Sequence, residues 1–200
     1  MTPTEHIRAT LRQQRRTLPL DAQKNATHAL CTHFQTQNFP DTYFQAVGLY
    51  LAINGEMDLT PLIEYFQRQN IACYLPILHP VLPHALWFAP YAANCELRRN
   101  RYGILETKFE IETLLAPWEL SLVLTPLVAF DTAGHRIGMG GGYYDYSFQF
   151  RQAPNCTTPV LLGCAYEWQK WHHALPTETW DVTLDGIITD VALHSIRPLT

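Results

Sequence analysis

The sequence predicts an α/β fold with a mainly parallel sheet flanked by helices on both faces. Two observations lead to this class. Short apolar runs alternate with segments of helical periodicity along most of the chain. Those runs, among them AVGLYLA, LSLVLTPL and PVLLGCAY, are almost continuously apolar, as strands buried on both faces must be. A third observation concerns function: a glycine-rich stretch joins one such strand to a helix, and in open parallel sheets ligands collect beyond the carboxyl ends of the strands.

The elements follow in order. Residues 4–17 form a basic amphipathic helix ended by Pro19. A second helix starts near Asp21, with Ala22, Ala26, Ala29, Leu30 and Phe34 at helical spacing. Ala46–Ala52 is a buried strand. Thr60 caps a helix that has Pro61 in its first position and runs to about Gln69. Ala72–Leu78 and Ala85–Tyr91 are strands, and residues 92–117 are irregular. Leu120–Leu127 is a strongly apolar strand, and the glycine-rich loop at 134–142 leads into a helix opening near Tyr143 or Tyr144. Pro159–Tyr166 and Gly186–Thr189 complete the strands. No repeat, low-complexity tract or long linker divides the 200 residues, so a single domain spanning 1–200 is expected.

Composition excludes several classes. Hydrophobic residues make up 47% and charged residues 16% of the chain, which sets it apart from disordered chains. No apolar run approaches the roughly 20 residues of a membrane-spanning helix. The N-terminus lacks the apolar stretch of a secretion signal. Its basic, amphipathic character leaves a mitochondrial targeting segment as an alternative to the first helix of the fold. A net charge of −4 argues against general nucleic-acid binding. The basic residues are nevertheless clustered, at Arg8, Arg12, Arg15, Arg16 and Lys24 and again at Arg98, Arg99 and Arg101. A small anionic ligand and a solvated helix face are both compatible with such clusters. Five cysteines without a CxxC pair favour neither a disulfide framework nor a zinc site and read as buried thiols in a reducing compartment. The expectation is a cytoplasmic protein with no nucleic-acid or membrane partner; a monomer is expected, though composition does not fix the oligomeric state.

The densest chemistry lies in Thr125–Asp145, TPLVAFDTAGHRIGMGGGYYD. Gly138, Gly140, Gly141 and Gly142 permit positive φ and close backbone approach. Their N–H groups and the following helix start would cradle an anion. The pattern is neither a P-loop nor a Rossmann fingerprint. Arg136 stands before the loop, within reach of phosphate oxygens, and Asp145 stands after it, placed to hold a metal ion. A plain surface turn is the alternative.

The segment RIGMGGGYYD resembles the RLGxGxGYYD hallmark of the 5-formyltetrahydrofolate cyclo-ligase family, also called methenyltetrahydrofolate synthetases. The upstream TPLVAFDTAGHR, and LYLAINGEMDLTPLI, YLPILHP, NRYGILE and LPTETWDVTLDGIIT, are similar to family segments in the same order. The resemblance implies an architecture like that of sugar-phosphate isomerases and CoA transferases. It also implies ATP- and Mg²⁺-dependent closure of 5-formyltetrahydrofolate to 5,10-methenyltetrahydrofolate, with release of ADP and phosphate. By resemblance, Arg8, and Arg12 as a second candidate, contact ATP phosphates. Arg136, Gly138, Gly140, Gly141, Gly142 and Tyr144 form the nucleotide loop, with Arg136 and Tyr144 nearest the chemistry. Glu56, with Met139, Gly140, Gly141, Gly142 and Tyr143, borders the folate. Asp145 and Asp181 bind Mg²⁺ and are expected to face one cleft.

Each residue also has a plainer reading. Arg8 and Arg12 lie one turn apart on a helix that water can solvate. Glu56 can serve its turn, Asp145 the helix dipole, and Asp181 a local cap. His79, His135, His172 and His173 receive no role. The chain departs from the family pattern at Thr4 and Glu5, where a lysine is common, at Tyr146 in place of arginine, and at Thr107 in place of proline. An isomerase- or transferase-like enzyme, which needs no ATP, and a non-enzymatic folate or nucleotide binder are the rival readings.

Overall fold

A computed structural model describes residues 2–37, 39 and 43–199. The chain opens with two helices, α1 (Pro3–Arg16) and α2 (Leu20–Gln35). Strand β1 (Ala46–Gly48), helix α3 (Thr60–Arg68), β2 (Ala72–Leu78) and β3 (Leu86–Pro90) follow. A small hairpin, β4 (Leu97–Arg99) and β5 (Leu105–Thr107), precedes β6 (Leu122–Pro126). A second pair, β7 (Ala129–Phe130) and β8 (Arg136–Ile137), leads to α4 (Tyr143–Phe148). Strands β9 (Val160–Cys164), β10 (Gly186–Ile188) and β11 (Leu193–Ser195) end the chain.

Seven strands make one sheet in the order β11-β10-β9-β6-β1-β2-β3. The inner five pair in parallel, and β11 and β3 close the edges antiparallel. The apolar runs of β6 and β9 are explained by what lies on each face. Successive residues point to opposite sides of a strand. Leu122, Leu124, Val160 and Leu162 enter a core with Leu30, Phe34, Leu62 and Phe66 of α2 and α3. Val123 and Leu161 enter a second core with Phe88, Phe130, Phe148 and Leu184. Both faces are therefore covered, as the sequence predicts.

Helix α1 packs apart from these, through Ile7 and Leu11 against Val128, Ala129, Ile137 and Leu175. Its start is set by a capping box: Thr2 Oγ1 accepts from Glu5 N–H at 3.2 Å, and Glu5 Oε2 accepts from Thr2 N–H at 2.7 Å.

Several expectations need correction. Leu59, not Thr60, occupies the N-cap of α3. Asp58 supplies the local acceptor, taking Thr60 N–H at 3.0 Å and Thr60 Oγ1–H at 2.7 Å. Residues 92–117 are not wholly irregular, since they contain the β4–β5 hairpin. Arg136 and Ile137 pair with Phe130 and Ala129, so the open part of the glycine-rich loop narrows to 138–142. Of the five cysteines, Cys95 and Cys156 are only half-buried.

Candidate active site

A cavity of about 600 Å³ opens beyond the carboxyl ends of β1, β2 and β6. Tyr50, Leu51, Ile53 and Glu56 reach it from the segment after β1, and Pro76, Ile77 and Leu78 from the end of β2. Pro126 reaches it from β6, and Gly138–Asp145 from the loop and α4.

The β1 side is organised by Arg15, one of the basic residues of α1. Ile7, Leu11 and Arg15 recur every four residues, so all three face inward. Arg15 is 1% exposed. Its Nε–H donates to Asn54 O at 3.1 Å, and one terminal N–H donates to Leu127 O at 3.1 Å. The other terminal nitrogen lies 3.6 Å from Glu56 Oε1. Glu56 Oε2 accepts from Ile53 N–H at 3.1 Å. Burial pushes the Glu56 carboxyl above its ordinary pKa, while the Arg15 guanidinium and the Ile53 N–H pull it back. Burial likewise lowers the Arg15 pKa, against the pull of Glu56. The turn below this pair is tight. A Cβ on Gly55, whose φ is +76°, would meet Arg15 O at 2.7 Å, so glycine is required there.

The loop side is built differently. Arg8 Nε–H donates to Gly138 O at 2.8 Å, and the guanidinium carbon lies 3.6 Å from where a Gly140 Cβ would stand. Left-handed φ occurs at Gly140 and Gly142, +95° and +68°, but not at Gly138 or Gly141. Among the described residues, no N–H of 139–142 donates to a protein acceptor. Four free donors beside a guanidinium are the chemistry of an anion cradle. Tyr143 Oη sits 2.8 Å from Tyr102 Oη, and Arg101 donates to it at 3.3 Å. Burial, with a contribution from Glu56, raises the Tyr144 pKa far above the usual phenol range. A raised pKa keeps that hydroxyl protonated at neutral pH, as a hydrogen-bond donor and a weak acid.

Arg136 and Asp145 meet each other. A terminal N–H of Arg136 donates to Asp145 Oδ1 at 2.7 Å, and the other terminal nitrogen donates to Val182 O. Asp145 Oδ1 also accepts from Val182 N–H at 3.1 Å. Asp181 Oδ2 accepts from Glu178 N–H at 2.8 Å. Among the described residues, Asp145 Oδ2 and Asp181 Oδ1 accept no protein hydrogen bond. Both aspartates line the cavity with Gly140–Gly142. No group of three or more His, Cys, Asp or Glu side chains is gathered for a metal among the described residues. Two carboxylates with one open oxygen each suit Mg²⁺, which takes one or two protein carboxylates and keeps waters or phosphates in its other positions.

Of the residues singled out in sequence, Arg8, Glu56, Arg136, Gly138, Met139, Gly140, Gly141, Gly142, Tyr143, Tyr144, Asp145 and Asp181 line this one cavity. Arg12 does not line it, although its charge helps to lower the Glu56 pKa. Arg136 is largely committed to Asp145 and Val182 rather than free. Sequence reasoning missed Arg15, Tyr102, Glu106 and Trp180. Trp180 and Tyr102 are 62% and 56% exposed at the cavity wall, where flat rings offer stacking surfaces.

Fold and cavity together define the class, an α/β enzyme whose candidate active site lies at the carboxyl ends of parallel strands. The sequence profile of the 5-formyltetrahydrofolate cyclo-ligase family matches residues 2–190, and the chain belongs to that family of ligases. It is 38% identical over 179 residues to the 5-formyltetrahydrofolate cyclo-ligase of Escherichia coli K12, covering 90% of this chain and 96% of that protein. With the enzyme of the same description from Haemophilus influenzae it shares 35% identity over 184 residues, 92% of this chain and 96% of the relative. The solved 5,10-methenyltetrahydrofolate synthetase of Aquifex aeolicus superposes with a TM-score of 0.78 at 25% identity, covering 98% of this chain and 94% of that one. The Mycoplasma pneumoniae synthetase matches in fold, with a TM-score of 0.73 at 22% identity over 94% and 99% of the two chains.

Proposed function

We propose that the protein closes 5-formyltetrahydrofolate to 5,10-methenyltetrahydrofolate at the expense of ATP, with Mg²⁺, releasing ADP and phosphate. The observation that carries the reading is the convergence on one cavity of a buried carboxylate, a loop of free N–H donors beside Arg8, and two half-open aspartates.

An N-formyl carbon is a poor electrophile, because the amide nitrogen donates into its carbonyl. Transfer of the γ-phosphoryl group to the formyl oxygen turns that oxygen into a leaving group. N10 then attacks the formyl carbon, its proton is released, and phosphate departs as the ring becomes methenyl. The protein's task is alignment and charge stabilisation. In this reading Arg8 and the amides of 139–142 hold phosphate oxygens, and Glu56, braced by Arg15, accepts hydrogen bonds from the folate. Arg136 holds Asp145 in place, and the Tyr144 hydroxyl donates into the cavity. Asp145 and Asp181 would hold Mg²⁺, which supplies charge neutralisation to the phosphates when bound. The proposal extends to a cytoplasmic monomer working as one domain. The free thiols are in keeping with a reducing compartment.

The test is the absorbance of the methenyl product, followed with and without ATP and Mg²⁺. Product should form only when both are present, with ADP released in equal amount. Product formed without ATP would remove the phosphorylation step.

A further inference from the structure

Glu106 is a second carboxylate in the cavity wall, and it is 5% exposed. It lies on β5, in the hairpin the sequence did not reveal. Its two oxygens differ. Oε1 accepts from Leu78 N–H at 3.0 Å and from the Asn100 side-chain amide at 2.8 Å. Oε2 accepts from no protein donor among the described residues. Asn100 is fixed in turn, because its Oδ1 accepts from Tyr102 N–H at 2.9 Å and Ile104 N–H at 3.1 Å. Oε2 is not among the buried side-chain atoms that lack a partner, so water entering the cavity can reach it, and a ligand N–H could take that water's place.

Resting on the proposed function, we infer that Glu106 is a substrate-binding residue whose free oxygen accepts an N–H of the reduced pterin ring. The surroundings favour the pterin over the nucleotide. Leu78 ends β2, next in the sheet to β1, whose following turn carries Glu56. Near Glu106 the wall presents Pro76, Ile77, Leu78, Ile104 and Tyr102, an apolar and aromatic surface suited to a flat heterocycle. The cations and free amides suited to a triphosphate belong to Arg8 and the glycine loop, and an unpaired carboxylate would repel phosphate.

Glu106→Gln separates binding from structure. The glutamine Oε1 can keep both the Leu78 and Asn100 hydrogen bonds, so only the cavity-facing oxygen changes, from acceptor to donor. Calorimetric titration of the full chain would use 5-formyltetrahydrofolate without ATP, and Mg-ATP without folate. In E106Q the folate dissociation constant should rise roughly 10- to 150-fold, the usual loss for a hydrogen bond to a charged group. The ATP constant should change less than about twofold. If E106Q is less stable than the parent, both titrations are run at a temperature where circular dichroism shows it folded, and the ratio of the two constants decides. An unchanged ratio, or a loss confined to ATP, would overturn the inference. Parent protein that binds no folate at all would instead overturn the proposed function.

Discussion

Glu56 and the 139–142 segment line the same cavity under opposite conditions. Glu56 is 6% exposed, and each of its oxygens has a protein neighbour, Arg15 or Ile53. Residues 139–142 are exposed, and their N–H groups donate to no described residue. Carbonyls hold the loop instead: Gly138 O accepts from Arg8, and Gly141 O lies 3.0 Å from a His84 ring nitrogen. On the turn side the cost of burying charge is met within the fold. On the loop side the N–H groups have no protein partner among the described residues. Damage to the first should therefore appear as lost stability, and damage to the second as lost binding.

Arg15→Met should show the largest effect. It leaves the Glu56 carboxylate buried without its cation, which typically costs about 3–5 kcal/mol, and urea unfolding would measure it. The pH dependence has a definite sign. Glu56 already has a raised pKa, and loss of Arg15 raises it further. Between the unfolded pKa and that higher folded value, the folded state binds more protons, so stability falls as pH rises. The deficit of R15M should be smaller at pH 5 than at pH 8. An equal deficit at both would mean that Arg15 acts through packing alone.

Gly140→Val should come next, and chiefly in binding. A β-branched residue resists the φ of +95°, at ~1–3 kcal/mol, so a relaxed loop would weaken ATP binding about 5- to 150-fold. Thermal midpoint should move little, because the loop is exposed. A variant that bound ATP normally would reduce the loop to a surface turn.

Asp131→Asn tests the ground between the two walls, with the smallest effect. Asp131 accepts from the N–H groups of Ala133, His135 and Leu175 and from the His135 ring. This fixes the turn before Arg136 to the segment before Pro176. Burial pushes the Asp131 carboxyl up, but these donors outweigh it and hold its pKa low. Its stabilisation is complete above the unfolded pKa of about 3.9 and fades as pH falls through the folded value. The variant should lose about 1 kcal/mol at neutral pH and show a flatter acid limb. An acid limb identical to the parent's would deny Asp131 this role.

The comparison also explains what could be read from sequence. The loop side was legible, because glycines, Arg136 and Asp145 crowd into ten residues and need no partner to be noticed. The sheet was legible because strands buried on both faces are apolar throughout. The turn side was only half legible. Glu56 came from the resemblance, but Arg15 reads as one more charge on a basic helix until Ile7 and Leu11 are seen on its face. Strands β4 and β5 are three residues each, and all of β4 is exposed, so no alternation marks them. Glu106, the carboxylate they carry, was missed with them. Edge strand β11 is equally short.

In the proposed function the two walls receive different substrates. Amide shifts of ¹⁵N-labelled protein test it most directly, titrated separately with 5-formyltetrahydrofolate and with a non-hydrolysable ATP analogue plus Mg²⁺. The folate should move the amides of Ile53–Met57, and those of Leu78 and Glu106, at the lowest concentrations. The nucleotide should move those of Met139–Gly142. Nucleotide shifts centred on Ile53–Met57, with the glycine loop unmoved, would rule out this division of the cavity.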